Sequence, residues 1–276
     1  MTLPATPPIT AQDINVELGR AASAPFSING AEERALAGIP AGAIAFTDFL
    51  GKSAAMSVTF VDTASGNNNI GSFSINIDIG PSDANKTVFI VGHTNYPGGT
   101  SQTGFVSISI DGTPATTQEF ASADDGSSQG LASWIISAEV STSGVVTVAG
   151  TYAPFGVEGD TVIASYYTTS DFNVTETLGD ARTDASSPYG TQVLIDVAEQ
   201  GWLIAGSTSS IQGVGMSWTG ATETYDDNIV GDQQGRYTGA LAGPLSAQSN
   251  RTVRAEQTGS FGTEGVSVVA ITIVKA

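Results

Sequence analysis

From residue 56 onwards, apolar and polar residues alternate along the chain, which restricts these segments to strands with one buried face. In residues 72–79, four large apolar side chains alternate with two serines, an asparagine and an aspartate. Continuous apolar runs at 88–91 and 202–205 predict central strands that are buried on both faces. No long helix is predicted after residue 55. The sequence therefore predicts a mainly β protein.

Turn signals separate these strands. Asp111-Gly112 follows the alternating residues Val106, Ile108 and Ile110, and Asp-Gly after such a run predicts a tight hairpin. Ser143-Gly144 predicts a second turn, and apolar residues within 266–273 predict a terminal strand. Only 13% of the residues are charged and 33 are glycine, which suits short strands joined by tight turns. We expect β-sandwich domains, jelly-roll-like or immunoglobulin-like.

The β-rich part contains two similar halves. The motif FGVEG at 155–159 recurs as FGTEG at 261–265, and Ala115-Thr116 recurs as Ala221-Thr222, each 106 positions later (155 to 261, 115 to 221). The apolar run at 88–91 corresponds more loosely to that at 202–205. A repeat of about 100 residues has the size of one sandwich. We predict sandwiches at 56–169 and 190–276, joined by a linker at 170–189. The alternative is one large jelly roll whose halves resemble each other.

Residues 1–55 carry helix signals that the remainder lacks. Thr10 and Asp13 have the spacing of a capping box, and Gly19 predicts the end of that helix. A second short helix is predicted from Asn29 to Gly38, and a third at 47–50. The segment is either a small domain packed on the sandwich or an attachment segment that completes its core against another subunit. The predicted attachment residues are Ile14, Leu18, Phe46, Phe49 and Leu50.

Three stretches of this segment resemble the opening of tailed-bacteriophage virion proteins. They are residues 9–20 (ITAQDINVELGR), 35–44 (ALAGIPAGAI) and 47–53 (TDFLGKS), in the same order as in that group. Many of its members are tail, tail-fibre or other structural proteins. The resemblance covers about residues 9–53 and implies a virion component. The group usually has a longer, polar-capped second helix, whereas Gly30 stands at its first turn here.

The charge balance restricts the partners. The chain has 27 acidic and 9 basic residues, a net charge of −18, which repels phosphate backbones and anionic lipids. We therefore expect no nucleic-acid partner and no membrane insertion. The first eight residues lack the basic region and apolar run of a signal peptide. We expect a protein that is made in the host cytoplasm without a signal peptide and ends in the virion.

The chemistry of a catalytic site is weakly represented. His93 is the sole histidine, and neither a nucleophile elbow nor a nucleotide-binding motif accompanies it. It is interpreted as a strand-end or loop residue. Asp124-Asp125 and Asp226-Asp227 are the obvious carboxylate pairs, and both are expected in solvated turns. We predict no catalytic residue, no cofactor and no metal site.

The aromatic residues are assigned mostly to the core. Trp134, Trp202 and Trp218 all lie in predicted strands, where packing is the default role. Six tyrosines are candidates for a receptor or glycan surface: Tyr152, Tyr166, Tyr167, Tyr189, Tyr225 and Tyr237.

The sequence predicts a non-enzymatic structural component of a tailed-phage virion, with other virion proteins as partners. The N-terminal segment would dock on the tail or particle surface, and the sandwiches would project from that surface or reinforce it. The sequence leaves open the inverted arrangement, in which the sandwiches dock and the helices pack internally. Alternatives are a capsid decoration (cement) protein and a host-receptor or carbohydrate-binding module. Because particle components repeat by symmetry, a homo-oligomer is expected, as a trimer or a ring-borne copy.

Overall fold

The N-terminal segment forms three short helices. The computed structural model describes residues 3–18, 20–52, 56–68, 71–96, 102–124, 130–153, 159–185, 190–210, 215–229, 235–258 and 264–276. The helices are α1 (Ala11–Glu17), α2 (Ala31–Ala37) and a 3-10 helix (Phe46–Phe49). All three had been predicted at these places.

The predicted helix ends are largely confirmed. The Thr10 hydroxyl accepts a hydrogen bond from the Asp13 amide at 3.2 Å, and the Asp13 carboxylate accepts one from the Thr10 amide at 2.8 Å. The Thr10 hydroxyl also donates a hydrogen bond of 2.6 Å to the Asp13 carboxylate, and this bond chiefly, with that from the Thr10 amide, holds the pKa of Asp13 below its usual value. Helix α2 starts after Gly30, which offers no side-chain cap, and ends at Gly38 in the left-handed conformation. Gly19, the predicted end of α1, lies outside the described residues.

The N-terminal segment has a hydrophobic core of its own. Leu3, Ile14, Leu36, Ala37 and Phe49 are buried together, and further apolar side chains surround them: Ile9, Leu18, Phe26, Ile28, Ile39 and Ile44. Arg20 links α1 to α2 by ion pairs with Glu32 and Glu33. We call residues 3–52 the N-terminal module. Its core is distinct from the cores of the β-rich part.

The remainder of the described chain forms seventeen strands. The first nine are β1 (Thr59–Asn68), β2 (Ser72–Asp78), β3 (Thr87–Tyr96), β4 (Gly104–Ile110), β5 (Thr113–Pro114), β6 (Thr116–Asp124), β7 (Gly130–Glu139), β8 (Val145–Ala153) and β9 (Gly159–Thr168). The other eight are β10 (Phe172–Ala185), β11 (Gly190–Val197), β12 (Gly201–Ser209), β13 (Gly215–Thr219), β14 (Thr222–Ile229), β15 (Gly235–Leu245), β16 (Gln248–Thr258) and β17 (Glu264–Lys275).

The strand order is the same in both halves. The first half forms sheets β1-β9-β3-β7-β6 and β2-β8-β4-β5, and the second forms β10-β17-β12-β15-β14 and β11-β16-β13. Apart from the two-residue β5, each strand of the first half has a counterpart in the second. Most successive strands alternate between two facing sheets, as in a jelly roll, whereas β6 and β7, like β14 and β15, are neighbours in one sheet. The matched pair Ala115-Thr116 and Ala221-Thr222 stands at the start of the corresponding strands β6 and β14. The FGVEG and FGTEG motifs lie mostly outside the described residues.

Two predictions about the strands are wrong, and a β-bulge explains each. Residues 172–185 form the edge strand β10 and not a linker. The strand was not predicted because a bulge between Val174 and Glu176 interrupts the alternation of apolar and polar residues. A bulge between Phe105 and Ser107 turns Val106 outwards, leaving it 69% exposed, and Phe105 packs inside instead. The Asp111-Gly112 hairpin is confirmed, with positive φ at both residues.

The two five-stranded sheets pack face to face, so the β-rich part has four layers. The middle strands β3 and β12 meet at the centre, and β6 contacts both β10 and β17. A shared core fills the space between the large sheets, including Phe89 and Ile135 from the first half and Ile204, Val269 and Ile271 from the second. The smaller sheets cover the outer faces. Because both faces of β3 are covered, all ten of its residues are buried, as predicted for residues 88–91.

Candidate functional site

The interface between the two halves contains a buried polar cluster around His93. This residue lies within β3, not in a loop, and is fully buried. Its Nδ1 is 3.0 Å from the Thr208 hydroxyl and 3.3 Å from the Ser133 hydroxyl, and its Nε2 hydrogen-bonds the Tyr225 hydroxyl. His93 therefore bonds to groups from both halves of the chain.

Hydroxyl groups extend this cluster across the interface. The Ser133 hydroxyl is 2.8 Å from that of Thr208 and 2.6 Å from that of Ser267. The Thr208 hydroxyl also donates to the Ala132 carbonyl at 3.1 Å. The sequence reasoning missed these residues. The available signal was a serine or threonine at an inward position in otherwise apolar strands.

Burial keeps the cluster neutral. It lowers the pKa of His93 to about 3 and raises the pKa of Tyr225 well above its usual value. A general acid or base works best with a pKa near the operating pH, and neither group has one near neutrality. The cluster therefore joins the two halves through neutral hydrogen-bonding groups.

The carboxylate pair Asp226-Asp227 is divided between the two faces of a strand. Asp226 and Asp227 lie in strand β14 and not in a turn, so the prediction of a solvated turn is wrong for them. Successive side chains of a strand point to opposite faces, which separates the two carboxylates. Asp226 forms an ion pair with Arg236 on the neighbouring strand. Asp124 ends β6, and Asp125 lies outside the described residues.

Most of the candidate surface aromatics are buried. Trp134 is fully buried in the first sandwich, as expected, and Trp202 and Trp218 are half-buried. Four of the six tyrosines are also buried and are not available to a receptor: Tyr152, Tyr166, Tyr225 and Tyr237. Tyr167 is half-buried, and Tyr189 lies outside the described residues.

The five predicted attachment residues are divided between the inside and the surface of the module. Ile14 and Phe49 are fully buried in its core, so neither is free to contact another subunit, and this part of the prediction is wrong. Leu18 and Leu50 are half-buried. Phe46 is 40% exposed, and its ring stacks on Phe26 with the centroids 5.7 Å apart.

The module also contacts the end of the second half. Glu17 in α1 forms an ion pair with Lys275 at the end of β17, and the Glu17 side chain is 1% exposed. After the module, the Met56 carbonyl accepts a hydrogen bond of 2.9 Å from the Trp202 indole at the start of β12. The module is therefore anchored at the end of β17, and the chain that follows it is held at the start of β12.

Three grooves open at this same end of the β-rich part. The first, about 620 Å³, lies where β3 begins and β7 ends and includes Glu139 and Asp171. The second, about 510 Å³, lies at the corresponding place in the second half and includes Trp202 and Arg251. The third, about 440 Å³, lies between the first residues of β10, the end of β11 and the start of β16.

In the described ranges, no three histidine, aspartate or glutamate side chains come together as a metal-binding group. No helix there has the length and apolar character that crossing a membrane requires. No protein-family model, curated protein or solved structure matches the chain.

Proposed function

We propose that this chain is a non-enzymatic structural component of a tailed-phage virion. The N-terminal module would attach the chain to the tail or particle surface, and the double sandwich would project from it or reinforce it. The observation that carries this proposal is the separate core of the module, which leaves Phe46 and Val16 each 40% exposed on its outside. A small unit with its own core can present such a surface without unfolding the rest of the chain.

The sequence resemblance supports the same assignment. It lies in residues 9–53, almost the same stretch as the module, and not in the sandwiches. A shared attachment module joined to a different projecting body accounts for a resemblance of this extent. The docking surface is revised from the earlier set, because Ile14 and Phe49 are internal. We place it around Phe46 and its stacking partner Phe26.

The side chains that are the best candidates for catalysis form hydrogen bonds and ion pairs within the fold, which supports a structural role. His93 is buried and neutral, and its hydrogen bonds join the two halves. Asp226 is neutralised by Arg236. We therefore assign no catalytic residue and no cofactor to the protein.

The proposed partners are other virion proteins and further copies of this chain. The net charge of −18 disfavours nucleic acid, because a phosphate backbone is repelled by a surface of the same sign. Virion proteins are repeated by the symmetry of the particle, so a trimer or a ring of copies is the expected assembly.

A pair of surface substitutions tests the attachment. Phe46→Glu places a charge on the proposed docking surface, whereas Val145→Glu places one on β8, at a residue that is 70% exposed on the outer sheet. We expect Phe46→Glu to be largely lost from purified particles, measured by quantitative mass spectrometry, and Val145→Glu to be retained. Circular dichroism checks that both variants fold. Full occupancy of folded Phe46→Glu would contradict the proposal.

The same particles distinguish tail attachment from capsid decoration. Density for the double jelly roll in a cryo-EM reconstruction would lie on the tail in the first case and on the shell in the second. If the sandwiches make the contact and the module faces solvent, the inverted arrangement is correct and the docking role of Phe46 is excluded.

A further inference from the structure

The second groove holds an arginine that faces inwards. On β16, Val253 and Ala255 are fully buried between the sheets, and Arg251 follows the same alternation at the mouth of the sandwich. Its Nε donates a hydrogen bond of 2.8 Å to the Gly220 carbonyl, and its Nη1 donates one of 2.8 Å to the Gln248 side chain. The guanidinium is thus held in place at the groove.

Arg251 has no carboxylate partner among the described residues, although the chain carries three acidic residues for each basic one. A guanidinium has five N–H donors, and the two hydrogen bonds above use two of them. The remaining donors can take a carboxylate in the two-bonded geometry that arginine favours.

The corresponding position in the first half is apolar. Arg251 pairs with Ile195, the third inward residue of β11. In the first half, the third inward residue of β2 is Ile77, and its partner on β8 is Val146. Val146 is buried in the first core. The first groove instead carries the acids Glu139 and Asp171. The cation is therefore a property of the second groove alone, and the jelly-roll framework does not require it.

The rest of the second groove offers apolar surface beside this cation. Trp202, Pro244 and Leu245 line it, with Thr222 as a polar neighbour. Gly243 lies against the Trp202 ring so closely that a Cβ would overlap it, which fixes the indole in position. The volume of about 510 Å³ falls in the range of roughly 300–1,000 Å³ that is typical of small-molecule sites. A stable protein–protein interface usually covers roughly 800 Å² of each partner, which is more than a groove lined by ten residues offers.

We propose that the second groove binds a sugar that carries a carboxylate, such as a uronic or sialic acid unit of a surface glycan. The carboxylate would pair with Arg251, and the apolar face of the sugar ring would lie on Pro244, beside the half-buried Trp202. The inference does not depend on the proposed attachment function, because the site lies on the sandwich and not on the docking surface around Phe46.

Binding is tested on the full chain with matched sugars. The probes are a glucuronic-acid-terminated disaccharide and sialyllactose, with lactose as the neutral control. Isothermal titration gives the affinity, and methyl NMR of Leu241 and Leu245 locates the ligand. We expect both acidic sugars to bind with shifts at these methyl groups. Lactose should bind at least about tenfold more weakly, because it lacks the charge-assisted pair.

Two arginine variants complete the test. Arg251→Gln should weaken binding of the acidic sugars by about tenfold or more, whereas Arg182→Gln, which removes an exposed arginine of β10, should leave it unchanged. No binding of either acidic sugar at millimolar concentration overturns the proposal. Equal affinity for lactose, or methyl shifts located elsewhere, also overturns it. The NMR result on the wild-type chain holds whether or not Arg251→Gln folds.

Discussion

Acidification should weaken the folded state specifically through His93. The pKa of this residue is about 3 in the folded protein against 6.5 for an exposed histidine, because burial disfavours the charged imidazole. Between these two values the unfolded chain takes up a proton that the folded protein does not. Stability is therefore complete above pH 6.5 and is lost progressively as the pH falls towards 3.

The size of the effect follows from the two pKa values. A difference of one pH unit corresponds to about 1.4 kcal/mol. Lowering the pH from 7.5 to 5.0 should therefore cost about 2 kcal/mol of unfolding free energy through His93 alone. At pH values below the folded pKa, the loss would approach about 5 kcal/mol.

Urea unfolding followed by tryptophan fluorescence measures this loss when wild type is compared with His93→Gln. Glutamine retains hydrogen-bonding groups but does not titrate. Between pH 7.5 and 5.0, the unfolding free energy of His93→Gln should therefore fall by about 2 kcal/mol less than that of wild type. The aspartates and glutamates contribute equally to both proteins and cancel in this difference. Equal pH dependence in the two proteins would refute the reasoning.

Three further substitutions test other parts of the structure. Gly92→Ala places a methyl group into the Trp134 ring and should destabilise the protein by about 1–3 kcal/mol in urea unfolding. Thr10→Ala removes the cap of α1 and should cost about 1 kcal/mol, seen as faster amide exchange in that helix. Lys275→Met removes the ion pair between Glu17 of α1 and the end of β17 and should make the module easier to cleave from the body by limited proteolysis.

Each of these has a matched control and a contrary result. Ser74→Ala on the exposed face of β2 should be nearly neutral, and an equally neutral Gly92→Ala would mean that the ring can move aside. Unchanged exchange in Thr10→Ala would show that packing alone holds α1. Lys52→Met, which removes an exposed lysine, should leave the rate of proteolysis unchanged. If Lys275→Met also leaves it unchanged, the ion pair between Glu17 and Lys275 does not hold the module on the body.

The sequence predicts strands well where one face is buried and the period is unbroken. Strand β2 follows its alternation through Phe73, Ile75 and Ile77. A single extra residue reverses the faces, and neither the bulge in β4 nor that in β10 has a sequence mark of its own. The period was therefore misleading at Val106 and was not visible at 172–185.

The partner of a buried face is harder to predict than the burial itself. The apolar residues of the N-terminal segment were identified, but amphipathicity does not show whether Ile14 and Phe49 are covered by their own module or by another subunit. The His93 cluster was missed for a related reason. Thr208 is 115 positions from His93, and such a contact is set by the packing of two complete sheets.

The contact between His93 and Thr208 shows what a fused pair of domains permits. His93 lies in β3 and Thr208 in β12, the middle strands of the two large sheets. The halves are not packed symmetrically, because β6 lies against β10 and β17 while the corresponding strand β14 is not in comparable contact with β1 or β9. In a symmetric dimer of identical chains, the same surface is present on both sides, and every substitution changes both sides together. Because one chain carries both halves here, each contact face holds its own residues, and a buried imidazole on one side meets a hydroxyl group on the other.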